Sequence, residues 1–236
     1  MRIIRCANYE EMSKKAAEFV SAQIMLKPDC VLGLPTGSTP IGMYARLAEM
    51  ELDFSKVTTF NLDEYYPIAK SNEQSYHYFM NENLYSKVNL MPENIHIPNG
   101  ETQNPEKECA DYERAIAASG GLDLQVLGIG QNGHIGFNEP GDMLNSFTHV
   151  TRLTQNTIEA NARFFSSADE VPKQALTMGV ATIMRARRIL LLASGANKAR
   201  VVKALQGSMI DPEIPATILA AHNDVTVIAD VEALGE

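Results

Sequence analysis

Leu127-Gly-Ile-Gly-Gln-Asn-Gly-His-Ile-Gly-Phe-Asn-Glu-Pro140 is the stretch that indicates the fold of this chain. It follows Asp123-Leu-Gln-Val-Leu127, an apolar run that predicts a buried strand. Four of the nine residues from 128 to 136 are glycines, which let the backbone adopt positive φ and approach a ligand closely. Ligands of open α/β sheets bind at the carboxyl ends of the strands. A strand that leads into a glycine-rich turn therefore predicts an α/β active site.

Three side chains that exchange or orient protons lie among these glycines, namely Asn132, His134 and Glu139. An unperturbed histidine titrates near about pH 6.5, so it can take and give a proton at neutral pH. Glu139 can orient His134 by accepting an N–H from the ring, as in catalytic triads. The alternative is a core histidine in a glycine-rich turn. Metal binding is disfavoured, because no second histidine lies at ligand spacing.

The composition is that of a globular protein with an acidic balance. The chain has 236 residues and a formal net charge of −9, without a cluster of lysines and arginines. Nucleic acid and anionic membrane surfaces are therefore unfavourable partners. No stretch approaches the roughly 20 apolar residues of a membrane span, and the start of the chain lacks the shape of a signal peptide. Three well-separated cysteines predict reduced thiols in a cytoplasmic protein.

Apolar strands alternate with helical patterns along most of the chain, which predicts a mostly parallel sheet with helices on both faces. Nothing resembles a linker, so a single domain is expected over residues 1–236. The weakly patterned segment 141–170 is the candidate for a mobile lid. The strand over 57–61 is predicted to end in residues 62–67, which a polar loop follows. Helices are predicted over 41–50, 74–85 and 154–165, and a longer helix over Val171–Ala186, with a break at Gly179. Further helices are predicted over Tyr9–Leu26, 105–118 and Ala199–Leu205.

A second strand, Cys30–Leu34, leads into a turn that contains Thr36, Gly37, Ser38 and Thr39. This turn lies just before a predicted helix. Free N–H groups and the helix dipole at such a position favour a phosphate group, and the hydroxyls add further donors. The alternative is an ordinary turn with Ser38 or Thr39 as the helix N-cap.

Two more strand ends carry charged residues. Asp63 and Glu64 follow a predicted strand, and one of them can serve as a general base, which contributes about 10²- to 10⁴-fold in rate. The alternative is a solvated acidic loop in which Glu64 is structural. Lys198 lies in the turn after another strand and can bind phosphate as a point charge, with Arg163 as a second cation. The alternatives are a solvated lysine and a surface arginine.

Together these motifs resemble the glucosamine-6-phosphate deaminase family, from Leu34-Pro-Thr-Gly-Ser-Thr39 to Ala196-Asn-Lys198. The most specific matches are Phe60-Asn-Leu-Asp-Glu-Tyr65 and the stretch from Gly128 to Pro140, with a further match over Leu153–Phe165. The resemblance implies a Rossmann-like three-layer α/β sandwich with a lid. It also implies the conversion of glucosamine 6-phosphate and water to fructose 6-phosphate and ammonia, without a metal or an organic cofactor.

The resemblance also implies roles for individual residues. Asp63 matches the base that moves a proton between C2 and C1, and His134 matches the residue that promotes ring opening, paired with Glu139. Asn132 stands where many members have aspartate, and its amide can orient His134 but cannot exchange a proton. The phosphate-binding set is Thr36, Gly37, Ser38, Thr39, Arg163 and Lys198.

The resemblance leaves two further expectations. Allosteric hexameric members continue beyond the last strand, whereas this sequence ends soon after Asp230, so we expect an unregulated monomer or small homo-oligomer. A 6-phosphogluconolactonase is the rival enzyme, but it would need neither the Asp63 pattern nor the Asn138-Glu139-Pro140 ending. A sugar-phosphate sensor is the rival from another class, and the chain has no basic segment for a DNA-binding domain.

Overall fold

The described part of the chain contains ten strands and seven α-helices. It comprises residues 1–154, 158, 171–207 and 209–236 of a computed structural model. The strands are β1 (Arg2–Cys6), β2 (Val31–Leu34), β3 (Thr58–Asn61), β4 (Asp63–Tyr66), β5 (Ile95–His96), β6 (Leu124–Gly128), β7 (His149–Arg152), β8 (Gln174–Thr177), β9 (Ile189–Ala193) and β10 (Val225–Asp230). The helices are α1 (Tyr9–Leu26), α2 (Ile41–Glu49), α3 (Tyr76–Asn83), α4 (Pro105–Ala118), α5 (Val180–Met184), α6 (Ala199–Leu205) and α7 (Val231–Leu234).

Seven of these strands form one sheet, in the order β1-β10-β9-β6-β2-β3-β5. Every neighbouring pair in this sheet runs parallel. Parallel neighbours need crossover connections, and helices between successive strands supply most of them. The mostly parallel sheet that the sequence predicts is therefore confirmed.

Strand β9 shows how both faces of the sheet are covered. Ile189, Leu191 and Ala193 belong to one apolar cluster, together with residues of α4, α5, α6 and α7. Leu190 and Leu192 belong to a second cluster, together with residues of α1, α2 and α3. Successive side chains of a strand point to opposite faces, so helices cover the sheet on both sides. The predicted Rossmann-like three-layer sandwich is present.

Three of the predicted helices, α1, α4 and α6, begin and end where the sequence predicts. Two of them start at an asparagine cap. The side chain of Asn8 accepts the N–H of Glu11, and the side chain of Asn104 accepts the N–H of Lys107. Within the described ranges, none of the helices combines the length and the apolar character that a membrane span needs.

The direction in which the sheet grows changes between β2 and β6. From β2 the chain moves through β3 to β5 on one side, whereas from β6 it moves through β9 to β10 on the other. Such a switch point leaves a crevice outside the carboxyl ends of the two strands. The turn at residues 35–40 follows β2 and the glycine-rich stretch follows β6, so both motifs meet at this crevice.

A second sheet, of three antiparallel strands in the order β4-β8-β7, corrects two predictions. Residues 62–67, where the sequence predicts the end of a strand, contain β4, and the predicted helix Val171–Ala186 contains β8, so only α5 remains helical. In β8 both Ala175 and Leu176 are fully buried. A strand buried on both faces lacks the alternation that separates a strand from a helix. Strand β7 lies in the segment 141–153, where the sequence shows no periodic pattern.

The predicted lid over residues 141–170 lies only partly within the described residues. The N–H groups of Val180 and Ala181, in the first turn of α5, donate to the carbonyls of Asn145 and Ser146. Residues 155–157 and 159–170 lie outside the described residues. The lid and the helix over 154–165 therefore stay predictions.

Candidate active site

A pocket of about 410 Å³ lies in the crevice between β2 and β6. Its walls come from the turns after β2, β6 and β9, from β4, and from the first residue of α3. Glu139 lies behind His134, whereas Arg163 falls outside the described residues. Four separate segments selected from the sequence meet in this pocket. The predicted residues that line it are Thr36, Gly37, Ser38, Thr39, Asp63, Asn132, His134 and Lys198.

Asp63 is the first residue of β4 and is only 7% exposed. Within the described residues, its carboxyl group has no hydrogen-bond donor and no cation in contact. Burial, and after it the charge of neighbouring Glu64, raises the pKa of Asp63 to about 8. Both causes disfavour the ionised form. Asp63 can therefore accept and release a proton near neutral pH.

Two contacts hold the glycine-rich stretch against Asp63. Thr177 of β8 lies opposite Asp63 in the strand register, and its hydroxyl accepts the N–H of Phe137 at 3.1 Å. Gly136 has φ +57°, and a Cβ added there would lie 3.0 Å from Thr177 Oγ1 and 3.6 Å from Asp63 Oδ2. Glycine at this position lets the backbone beyond the histidine approach the acid.

The imidazole of His134 lies between a glycine and a carboxylate. A Cβ at Gly130 would collide with the ring, so only glycine leaves room for it. His134 Nδ1 lies 3.4 Å from Glu139 Oε2. This distance is longer than a normal hydrogen bond, and among the described residues Nδ1 has no other partner. The pair is arranged so that Glu139 can stabilise an imidazolium ion.

Asn132 connects the backbone of the histidine loop to Glu139. Its Nδ2 donates to Glu139 Oε2 at 2.7 Å, and its Oδ1 accepts the backbone N–H of His134 at 3.2 Å. The sequence predicts that this amide orients the ring of His134. In the described residues the amide makes no hydrogen bond to the ring, so it acts through the backbone and through Glu139.

The turn after β2 is held open by two tyrosines. Gly37 has φ +95°, a conformation that favours glycine. The hydroxyl of Tyr9 donates to Ser38 O at 3.1 Å, and the hydroxyl of Tyr44 donates to Pro35 O at 2.5 Å. Helix α2 has no side-chain cap, so the alternative in which Ser38 or Thr39 caps it is not observed. The three hydroxyl-bearing residues of the turn, Thr36, Ser38 and Thr39, line the pocket.

Lys198 enters the pocket from a tight turn after β9. Gly195 begins that turn with φ +91°, and its N–H donates to the carboxylate of Asp230 at 3.1 Å. Ser194 also donates its hydroxyl to Asp230. Burial lowers the pKa of Lys198 from its usual value. A partly desolvated ammonium at this place attracts an anion such as phosphate.

Some lining residues were not selected from the sequence. Tyr76 was predicted only as part of a helix, and Phe137 only as part of the glycine-rich stretch. Their rings lie stacked, with centroids 6.1 Å apart and an interplanar angle of 5°. No local pattern marks Tyr76, because its position depends on where α3 packs. Glu64 was interpreted as structural, although its position beside Asp63 was a usable signal.

The chemistry of the pocket suits an anionic ligand. Hydroxyls, backbone N–H groups and one ammonium group line one part of it. Across the described residues, no group of three or more His, Cys, Asp or Glu side chains could hold a metal ion. The remaining functional groups are a buried carboxyl group and an imidazole, which transfer protons.

Comparison with known sequences places this chain among sugar-phosphate enzymes. The family model for glucosamine-6-phosphate isomerases/6-phosphogluconolactonase matches residues 7–228. A glucosamine-6-phosphate deaminase of Halothermothrix orenii is 57% identical over 99% of this chain and 98% of its own length. A glucosamine-6-phosphate deaminase of Clostridioides difficile is 54% identical over 99% of this chain and 95% of its own.

Comparison with solved structures shows the same similarity to glucosamine-6-phosphate deaminases. A structure described as a monomeric glucosamine-6-phosphate deaminase superposes with a TM-score of 0.97 at 46% identity, covering 100% of this chain and 99% of its own. A 6-phosphogluconolactonase of Thermotoga maritima has a TM-score of 0.76 at 23% identity, covering 97% of this chain and 98% of its own, and shares the fold alone. The chain therefore belongs to the family of glucosamine-6-phosphate isomerases and 6-phosphogluconolactonases.

Proposed function

We propose that this protein is an enzyme that converts D-glucosamine 6-phosphate and water to D-fructose 6-phosphate and ammonia. One observation carries the proposal. A buried acid, Asp63, and an imidazole, His134, line the same pocket as an anion-binding turn and Lys198. An aldose–ketose conversion of a sugar phosphate needs these groups in one place. The names and identities of the relatives support the same reaction.

The phosphate group is proposed to bind at the turn after β2. Ser38 and Thr39 offer hydroxyl donors, Gly37 leaves the backbone open, and Lys198 supplies the positive charge. Arg163, which lies outside the described residues, is proposed as a second cation. A bound phosphate fixes one end of the sugar, so its binding energy can be used to hold the reacting carbons in register.

His134 is proposed to open the sugar ring. The imidazole takes the proton of the C1 hydroxyl and delivers a proton to the ring oxygen, which leaves an aldehyde at C1. Glu139, 3.4 Å from Nδ1, stabilises the imidazolium ion that forms between these steps. Asn132 holds Glu139 in place by a hydrogen bond of 2.7 Å.

Asp63 is proposed to move the carbon-bound proton. It takes the proton from C2 while the aldehyde oxygen gains a proton, which gives an enediol-like enolamine. It then returns its proton to C1 while the amino group loses one, which leaves an imine at C2. Water then hydrolyses the imine to the ketone and releases ammonia. Since the pKa of Asp63 is raised to about 8, the fraction in the base form, and with it kcat/KM, increases as the pH rises toward this value.

A coupled assay tests the proposed function. Purified protein supplied with glucosamine 6-phosphate should form ammonia and fructose 6-phosphate in equal amounts, and the Asp63→Asn variant should form both at least about 10²-fold more slowly. Non-phosphorylated glucosamine should be a very poor substrate, because it lacks the group that the turn binds. The proposal is wrong if the protein forms neither product and instead hydrolyses 6-phosphogluconolactone.

Several properties of the whole protein belong to the same proposal. We propose that residues 1–236 form a single domain, that the segment 141–170 acts as a lid, and that the enzyme is a monomer in the cytoplasm. The similarity to a monomeric deaminase structure supports the monomer. The cysteines Cys6, Cys30 and Cys109 are buried free thiols, which suits a reducing compartment. Light scattering that gives the mass of a hexamer would contradict the monomer.

A further inference from the structure

Glu64 is the second buried carboxyl group of β4, and it takes no part in the proton transfers proposed above. It is only 2% exposed. Its carboxylate accepts three backbone N–H groups, from Tyr65 at 2.9 Å, from Tyr76 at 2.8 Å and from His77 at 2.9 Å. An ionised carboxylate accepts such bonds more strongly than a neutral one. These three bonds therefore favour the ionised form of Glu64, whereas its burial disfavours it.

These bonds fasten β4 to the start of α3. Tyr76 and His77 are the first two residues of the helix, where N–H groups lack partners within the helix. The hydroxyl of Ser75 accepts the next available donor, the N–H of Tyr78, at 3.0 Å. The helix dipole adds to the stabilisation of a negative charge at this end. One carboxylate thus fixes the helix whose first residue, Tyr76, lines the pocket.

We propose that Glu64 is a positioning residue for the reaction, because its charge, fixed by the start of α3, stands beside Asp63 and makes that group a stronger proton acceptor. The proposal rests on the proposed function, in which Asp63 moves the substrate proton. Consecutive residues of a strand point to opposite faces, so Glu64 lies away from the pocket side of β4. It acts on Asp63 through space and does not touch the substrate.

The two carboxyl groups differ in their hydrogen-bond donors. Burial raises the pKa of Glu64 to about 7, while its three N–H donors act in the opposite direction. Asp63 has no such donors among the described residues, and burial together with the Glu64 charge raises its pKa to about 8. Since only Glu64 has these donors, we expect it to be the more easily ionised of the two and Asp63 to titrate beside its charge.

Three tyrosines near Asp63 do not titrate in the working range. They are Tyr44 of α2, Tyr76 of α3 and Tyr112 of α4, and burial raises the pKa of each well above its usual value. A neutral phenol adds no charge to the surroundings of the pair. The pH dependence near neutrality is therefore left to the carboxyl groups and to nearby histidines.

The cationic and titratable neighbours lie on both sides of β4. His134 and Lys198 line the pocket on the Asp63 side. On the Glu64 side, burial and the charge of Lys70 lower the pKa of His77. These groups are the same in all variants compared below. A difference between the variants therefore reports on Glu64.

Carbon-13 NMR of the side-chain carboxyl groups tests the proposal on the free enzyme. The Asp63→Asn variant identifies the signal of Asp63 by its absence, and Glu64→Gln identifies that of Glu64. In the wild type, Glu64 should titrate at lower pH than Asp63. In Glu64→Gln, which removes the charge and keeps the size, the titration of Asp63 should fall by about one pH unit.

Ser75→Ala is the matched control, because it removes the other side-chain cap of α3 and changes no charge. It should leave the titration of Asp63 where it is in the wild type. The proposal is overturned if Asp63 ionises before Glu64 in the wild type, if folded Glu64→Gln leaves Asp63 unchanged, or if Ser75→Ala shifts Asp63 equally. Should Glu64→Gln fail to fold, the wild-type titration decides, because the Asp63 signal should show a second inflection at the pH where Glu64 ionises, and its absence overturns the proposal.

The pH profile of the reaction gives a second measurement. The acid limb of kcat/KM should move to lower pH by about one unit in Glu64→Gln and stay in place in Ser75→Ala. If Glu64 served folding alone, both variants would yield a different amount of folded enzyme. The acid limb of kcat/KM would then stay at the wild-type pH. If the wild type releases no ammonia, the proposed function fails. The carboxyl titrations still show whether Glu64 sets the proton affinity of Asp63.

Discussion

Asp63 and Asp123 are aspartates at opposite ends of the parallel sheet, buried almost equally and surrounded very differently. Asp63 follows β3 and is 7% exposed, whereas Asp123 precedes β6 and is 5% exposed. Asp123 accepts the N–H of Val31 at 2.9 Å, lies 2.7 Å from Lys27 Nζ and lies 3.3 Å from Arg187 Nε. Asp63 has another carboxylate beside it and, among the described residues, no donor or cation.

The difference separates a structural carboxylate from a reactive one. A buried charge is tolerated when cations and N–H groups compensate for its lost hydration, as they do for Asp123. A buried carboxyl group without compensation destabilises its ionised form and holds a proton up to higher pH. Folding alone gives no reason to keep Asp63 in this state. The proposed proton transfer does, since a base works best when its pKa is near the working pH.

The largest expected difference between the two aspartates is the effect of their replacement on kcat. Asp63→Asn keeps the size of the side chain and removes the base, so kcat should fall by about 10²- to 10⁴-fold or more. Asp123→Asn should leave kcat of the folded enzyme unchanged. Ammonia release measures kcat, and calorimetry with the substrate checks that Asp63→Asn still binds the phosphate. An Asp63→Asn enzyme with most of its activity would refute the proposed base.

The lysines at the two ends extend the comparison. Lys27 is bound to Asp123, whereas in the described residues no carboxylate lies within ion-pair distance of Lys198. Lys198→Ala should raise KM by about 10- to 100-fold, the range expected for one charge-assisted bond to phosphate, with a smaller effect on kcat. Lys27→Ala, the matched control, should leave KM unchanged. Equal KM values in both variants would remove Lys198 from the phosphate site.

The structural role of Asp123 should appear in the free energy of unfolding. Asp123→Asn removes the charge that faces Lys27 and Arg187, so the protein should lose about 3 kcal/mol of stability. Both cations are partly exposed, so water replaces some of the lost attraction. Urea unfolding at neutral pH measures the change. A variant as stable as the wild type would show that these contacts make no net contribution to the free energy of unfolding.

Asp63→Asn should raise the free energy of unfolding, whereas Asp123→Asn should lower it. The increase should depend on pH. The pKa of Asp63 is about 8 in the folded protein, against an ordinary value of 3.8. Between these values the folded state holds a proton that the unfolded chain has released, so stability falls as the pH rises through this window. The amide has no such dependence. The variant should match the wild type near pH 4, gain on it by about 1.4 kcal/mol for each pH unit of this window, and exceed it by about 5 kcal/mol at pH 8.5 in urea unfolding.

The sequence predicts the features of this fold that depend on local signals. Helices α1 and α4 begin at asparagine caps that directly precede them in the sequence. The site motifs likewise directly follow apolar strands. The small sheet was missed, because its pairing of Asp63 with Thr177 joins residues far apart in the chain. Tyr76 was missed for the same reason. The sequence shows that Glu64 lies beside Asp63, but it cannot show that the start of α3 holds the charge.

Asn132→Asp should have the smallest effect, and it tests whether a second uncompensated carboxylate is tolerated in the pocket. At present Asn132 Nδ2 donates to Glu139 Oε2 at 2.7 Å. A carboxylate in place of the amide can keep this contact only when one of the two groups is protonated. We expect kcat close to that of the wild type at low pH and a several-fold decrease as the pH rises.

Asn132→Ala is the control for this change, because it removes both hydrogen bonds without adding a charge. It should lower kcat by a factor that does not depend on pH. If Asn132→Asp also showed no pH dependence, the carboxylates would be hydrated rather than in contact. Tolerance of an uncompensated carboxyl group would then be a property of Asp63, which lines the pocket but is only 7% exposed.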